Sequence, residues 1–383
     1  MISRIIIFLT VFILIIGCGF SNLATTQPHP ANQYFNSIEY PKIGMNQINT
    51  STIRRNPYII NNLAKLDMVI INKSDDLFVD KNASTEYARQ IKALNPKIKV
   101  LQYLSISDIW EYQDTFKIWA KQHPQVLLKD ANGNYVHPYA DKYGNKRYMF
   151  DSTQPAWQNY FAQRMKKITN QGMDGVFVDN LWRSNWQNLN ISPEKFKQIQ
   201  QGWEVAMQKG RNLTGPNKIV VGNGPPCDVY QTRDIAMLEG KLKPNKDSLD
   251  EYFKYTQDAS SCGQIIYDTV QPGTYTGIKF HQATDFFLPV VLLTDNIWGF
   301  SAESEQWFSL AKKVGKIGYP DAPAKRLDNG VLSRDFTKAR VLFNDTDSPK
   351  KVSLTQNTYK TINNVPINDI TLQPMTGIVL KKK

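Results

Sequence analysis

Histidine and cysteine are scarce in this chain, with four and three residues among 383. His29, His123, His137 and His281 stand far apart, and no Cys/His cluster shows ligand spacing, so the sequence calls for no metal. It calls for no cofactor either. A nucleotide-binding open sheet would announce a glycine-rich loop after its first strand, and Gly44-Met45-Asn46 lacks that spacing. The net charge of +12 attracts anionic partners, yet the basic residues are dispersed apart from Lys381-Lys382-Lys383 and no nucleic-acid motif interleaves them with aromatics. A nucleic-acid partner is therefore not expected, and a solvated basic surface is the reading retained.

Long apolar runs are also missing, with one exception at the start. Ile5 to Ile16 follows Arg4 and is too short to span a bilayer comfortably, which is the layout of a secretory signal. It closes on Ile15-Ile16-Gly17-Cys18, which resembles a bacterial lipobox. The resemblance implies a lipidated Cys18 and a chain held to a membrane in the periplasm or at the cell surface. Residues 1–18 are read as this leader. Residues 19–36, rich in polar residues around Pro28-His29-Pro30, are read as a flexible tether. With Cys18 set aside, Cys227 and Cys262 remain; in an oxidising compartment they either pair or stay free, and the sequence leaves both open. It also leaves the oligomeric state open.

From Ile43 onward, short apolar runs alternate with stretches of helical period, the pattern of a parallel sheet covered by helices. Eight strands are expected: Ile43–Ile48, Met68–Asn72, Ile98–Ser105, Gly175–Asp179, Ile219–Asn223, Ile235–Glu239, Gln264–Thr269 and Asn296–Ser301. Trp157, Phe161, Met165 and Ile168 repeat at helical spacing behind Pro155, and Phe280 to Leu293 reads as a buried helix that Pro289 kinks. Eight such units match a (β/α)8 barrel over residues 37–322. Past Pro320 the runs become short and alternating, so residues 323–383 are read as a small antiparallel, sandwich-like β domain.

Chemistry is sought at the carboxyl ends of the strands, where barrel enzymes keep it. Gly175-Val-Phe-Val-Asp179 ends an apolar run on a carboxylate, and Ile235-Ala-Met-Leu-Glu239 does the same two strands later. Alternate strands project into one layer, so Asp179 and Glu239 can share a cavity, and paired carboxylates are what glycoside cleavage needs. The bland alternatives are an N-cap role for Asp179 and an ion pair of Glu239 with Arg233 or Lys241. Polar groups recur at the other strand ends, and Asn46, Lys73, Tyr103, Asn180, Asn223 and Asp268 are read as contacts for a hydroxyl-rich ligand. Trp182 and Trp298 are read as faces on which sugar rings stack.

Several stretches together resemble a family: Asp151-Ser-Thr-Gln-Pro-Ala-Trp157, Gly172-Met-Asp-Gly-Val-Phe-Val-Asp-Asn180, Met237-Leu-Glu-Gly240, Leu292-Leu-Thr-Asp-Asn296, and Arg334-Asp-Phe with Val341-Leu-Phe-Asn344. They are similar to the glycoside-hydrolase-like barrel proteins, a group related to the endo-polygalactosaminidase and alpha-galactosidase-type barrels. The resemblance implies a barrel with an accessory β-sandwich, a carbohydrate polymer as partner, Asp179 as nucleophile and Glu239 as acid/base. The other reading is a lipoprotein that binds glycan or envelope polymer through the same cavity without cutting it.

Overall fold

The computed structural model describes residues 30–56, 58–71, 83–113, 116, 118–140, 143–181, 184, 189–228, 230–270, 282–300 and 305–383. Strands β1 (Ile43–Ile48), β2 (Met68–Ile71) and β3 (Lys99–Ser105) open a parallel barrel. After an antiparallel pair of short strands joined by a long connection, β4 (Asp108–Trp110) and β5 (Arg147–Met149), it continues through β6 (Gly175–Asp179), β7 (Ile219–Asn223), β8 (Ile235–Glu239), β9 (Ile265–Val270) and β10 (Ile297–Phe300). Pairing runs β1-β10-β9-β8-β7-β6-β3-β2 and closes through β1 and β2. Because these strands are buried on both faces, they read as nearly unbroken apolar runs, and that is why the sequence locates all eight.

The covering helices follow their local signals. Pro155–Asn170 buries Trp157, Phe161, Met165 and Ile168, while Pro193–Thr214 starts where the Ser192 hydroxyl accepts the Lys195 amide at 3.1 Å. The apolar run before β10 winds as a π turn over Ala283–Phe287 and then as an α-helix over Leu288–Leu292. Pro289 sits in the first turn of the second part, where its missing N–H costs nothing.

One boundary is corrected. The tether expected to reach residue 36 ends earlier, because Pro30–Asn36 is a helix seated in the barrel's closed end. Ala31 and Phe35 are completely buried in one cluster with Met68, Leu101, Ile219, Ile235, Ile265 and Ile297, inward residues near the starts of their strands. Two apolar residues one turn apart suffice for this plug, although the composition around them is polar. The Asn32 amide donates to the Gly263 carbonyl at 2.6 Å and fixes the helix to the start of β9.

Beyond the barrel, β11 (Lys325–Arg326), β12 (Leu332–Phe336), β13 (Ala339–Asn344), β15 (Tyr359–Thr361), β16 (Pro366–Ile367) and β18 (Thr376–Lys382) form a six-stranded antiparallel sheet. A two-stranded sheet of β14 (Lys350–Ser353) and β17 (Asp369–Leu372) packs with it over Val331, Leu342, Val352, Leu354, Leu372 and Leu380. Arg334, nearly buried, locks this domain to the barrel: its guanidinium donates to the carbonyls of Leu292 and Thr294 at 3.2 and 2.6 Å and to the Asp295 carboxylate at 2.7 Å.

Candidate active site

Strand parity decides which side chains reach the mouth. Gly44 and Gly299 leave room inside the barrel for the Tyr267 ring, and a Cβ on either would collide with it. Tyr103, Phe177 and Met237 share this interior. Side chains two residues further along each strand, Ser105, Asp179 and Glu239, therefore rise on the same face at the open end.

Asp179 is held by three donors. Its Oδ2 accepts the Tyr103 hydroxyl at 2.8 Å, and its Oδ1 accepts the Asn180 backbone N–H at 2.8 Å and the Asn223 amide at 2.9 Å. A carboxylate offers about four lone-pair positions, so three such bonds aim the group and still leave one position open. The same Asn223 Nδ2 lies 3.3 Å from Glu239 Oε2. One nitrogen thus bridges the two acids, and their nearest oxygens are no further apart than those two bonds laid end to end. Asp179 is half-buried and Glu239 exposed, as expected for groups at the rim of an open cavity.

Asn180 adopts φ 63°, a left-handed conformation that asparagine tolerates better than most residues. This turn brings its N–H back onto Asp179 and sends its own amide to Ser105 Oγ at 3.0 Å and to Asp108 Oδ1 at 3.4 Å. Asp108 is fully buried and also accepts the Ser105 and Ser107 hydroxyls, at 3.1 and 2.8 Å, and the Arg147 guanidinium. Burial pushes its carboxyl up, against the pull of Arg147. Arg147 stacks against Trp110 and Tyr139, with 5.1 and 5.4 Å to the ring centroids. A chain of polar contacts therefore runs from Tyr103 through Asp179, Asn180 and Ser105 to a buried ion pair.

The sequence reading missed Asp108 and Arg147. Ser105-Ile106-Ser107-Asp108, directly after β3, carried a local signal for the first, but Arg147 comes from 39 residues away and only the strand pairing of Asp108 with Met149 and Trp110 with Arg147 brings it in. Two expected ligand contacts are corrected. Asp268 and Trp298 lie one residue out of phase with the interior: Trp298 packs outside the barrel on Trp307 and Phe300, and Asp268 faces the helix layer beside Tyr252. Asn46 is buried on β1 with neither amide atom bonded among the described residues. Lys73 and Trp182 lie outside the described residues. Away from the mouth, Cys227 and Cys262 form a disulfide with Cα atoms 5.8 Å apart. Among the described residues no three His, Cys, Asp or Glu side chains gather to hold a metal ion.

Comparison with solved structures finds the same barrel fold in other proteins. Amy13B of Eubacterium rectale superposes with a TM-score of 0.54 at 9% identity, covering 93% of this chain and 99% of its own. A family GH13_31 enzyme gives 0.53 at 11%, over 90% and 100%. The alpha-galactosidase TtGalA of Thermus thermophilus gives 0.53 at 12%, over 78% and 65%. At such identities the likeness is one of fold. No curated protein sequence matches the chain. A family profile, however, matches residues 92–340, from the helix before β3 to the third strand of the β domain and so including both acids; the chain belongs to hypothetical glycosyl hydrolase family 15, GHL15.

Proposed function

We propose that the chain is an exported, lipid-anchored glycoside hydrolase that cleaves an envelope or extracellular polysaccharide with retention of configuration. Asp179 attacks the anomeric carbon while Glu239 gives its proton to the departing glycosidic oxygen; the C–O bond to the leaving sugar breaks as the bond to Asp179 forms. Glu239 then takes a proton from water, whose oxygen displaces Asp179. Tyr103, Asn180 and Asn223 hold the nucleophile, and Cys18 carries the lipid.

The observation that carries this reading is the Asn223 bridge. Retaining enzymes keep their carboxyl groups about 5–5.5 Å apart, whereas inverting ones need about 6.5–9.5 Å to admit a water. Bonds of 2.9 and 3.3 Å to one nitrogen keep the two carboxyl groups close together, which supports the retaining mechanism.

The test is reducing-end release by the purified chain from a panel of bacterial exopolysaccharides and aryl glycosides. Asp179→Asn is expected to lose hydrolysis while keeping its fold, and Glu239→Gln to lose about 10²–10⁴-fold. The first anomer formed, read by proton NMR, is expected to match that of the substrate. An inverted product, or full activity in Asp179→Asn, would remove Asp179 as nucleophile.

A further inference from the structure

The closed end of the barrel collects positive charge for a local reason. Covering helices run back toward the strand starts, and their last turns carry Lys92, Lys167, Arg211, and Lys312 with Lys313, where cations complement the helix dipole. Acids at this end are already matched: Asp67 meets Lys316 at 2.7 Å, Asp174 meets Lys92 at 2.8 Å, and Asp234 meets Arg211 at 2.6 Å. Lys65, Lys97, Lys312 and Lys313 are exposed and have no carboxylate partner among the described residues. The surplus at this face is positive.

A groove of about 410 Å³ opens there, with Ile43, Leu66 and Phe308 in its lining and Lys65 and Lys312 beside them. Apolar walls flanked by ammonium groups suit an anionic headgroup that brings hydrocarbon with it. The chain also enters at this end. Pro30–Asn36 is plugged into the strand starts, and the stretch from Gly19 to His29 reaches at most about 3.3–3.6 Å per residue. A surface that holds Cys18 is therefore within reach of this face, which lies at the end of the barrel opposite Asp179 and Glu239.

We infer that the closed end of the barrel docks on an anionic phospholipid bilayer, seating a phosphate headgroup between Lys65 and Lys312 and turning the mouth away from the membrane. The substrate then meets the site from the solvent side, as a polymer and not as a glycan linked to a lipid of the same bilayer. The outward pose rests on the anchoring of Cys18 proposed above; the affinity for an anionic surface does not.

The probe is a chain beginning at residue 18 with Cys18→Ser, which keeps every described element, co-sedimented with vesicles. Pure phosphatidylcholine vesicles are compared with vesicles of about one third phosphatidylglycerol, the second carrying the negative surface that basic residues sense. Binding is expected only to the second kind and is expected to weaken with salt. Lys65→Gln with Lys312→Gln should weaken it about 10- to 30-fold, whereas Lys121→Gln, on the connection after β3, should leave it unchanged. Equal binding to both vesicle types, none to either, or an unaltered double variant overturns the docking surface. Fatty-acid labelling of Cys18 in the full chain reads the anchor alone. A labelled protein that fails the vesicle assay removes the surface and leaves both the anchor and the glycosidase reading intact.

Discussion

At the scale of single residues, Asn223 and Asp268 show how strand phase separates function from architecture. Asn223 closes β7 on the inner face and joins the two acids. Removing its amide in Asn223→Ala loses bonds to charged groups, each contributing about 1.5–3 kcal/mol. Turnover is expected to fall about 10–10²-fold with KM little changed, since the amide aims the acids and does not itself define the sugar. Initial-rate kinetics on any cleaved substrate decide this; a change confined to KM would make Asn223 a ligand contact instead. Asp268 lies on the outer face with no hydrogen-bond partner among the described residues, and burial pushes its carboxyl up to about 8. Unfolded, the same group releases its proton near 3.9. Between those values the folded chain binds the extra proton, so its contribution is fully present in acid and is lost as pH rises toward about 8. Asp268→Asn cannot titrate. It should match the wild type near pH 4 and exceed it at pH 8.5 in urea unfolding, and an equal pH slope for the two proteins would count against this account.

Among elements, the plug helix Pro30–Asn36 and the β4–β5 pair are those whose sequences give least warning. The helix is short, polar overall, and held by Ala31 and Phe35 inside the barrel. Phe35→Ala removes a fully buried ring and is expected to cost about 3–5 kcal/mol, seen as a lower denaturation midpoint. Cutting the ring away while keeping stability would mean that the plug is an ornament. Elsewhere the Cys227–Cys262 bond closes 35 residues between the β7 exit and the end of Lys246–Ser261. Its reduction is expected to lower stability by about 4 kcal/mol, measured as a shift in thermal midpoint with and without reductant.

Over the whole molecule, the barrel was legible because its strands are compact, mostly apolar runs, and four of the eight begin and end where the runs do. Inside and outside were not legible by the same signal. A strand buried on both faces lacks the alternation that marks its phase, so Asp268 and Trp298 looked like neighbours of Asp179 until Tyr267 fixed the parity. Asp108 with Arg147 was hidden for another reason, since only pairing across a long connection joins them. The family motif around Arg334 and Asp295 proves to be a joint between domains and not part of the mouth. Arg334→Ala leaves the carbonyls of Leu292 and Thr294 without their donor and should cost about 1–3 kcal/mol. Loss of a single cooperative transition in calorimetry would show the two domains coming apart.

The seating of Pro30–Asn36 against the first residues of several strands also governs how the protein bears force. A pull applied at the N-terminal side of this helix is delivered to a wedge in the floor and spreads around the ring of strand starts, entering the barrel at the end opposite the two acids.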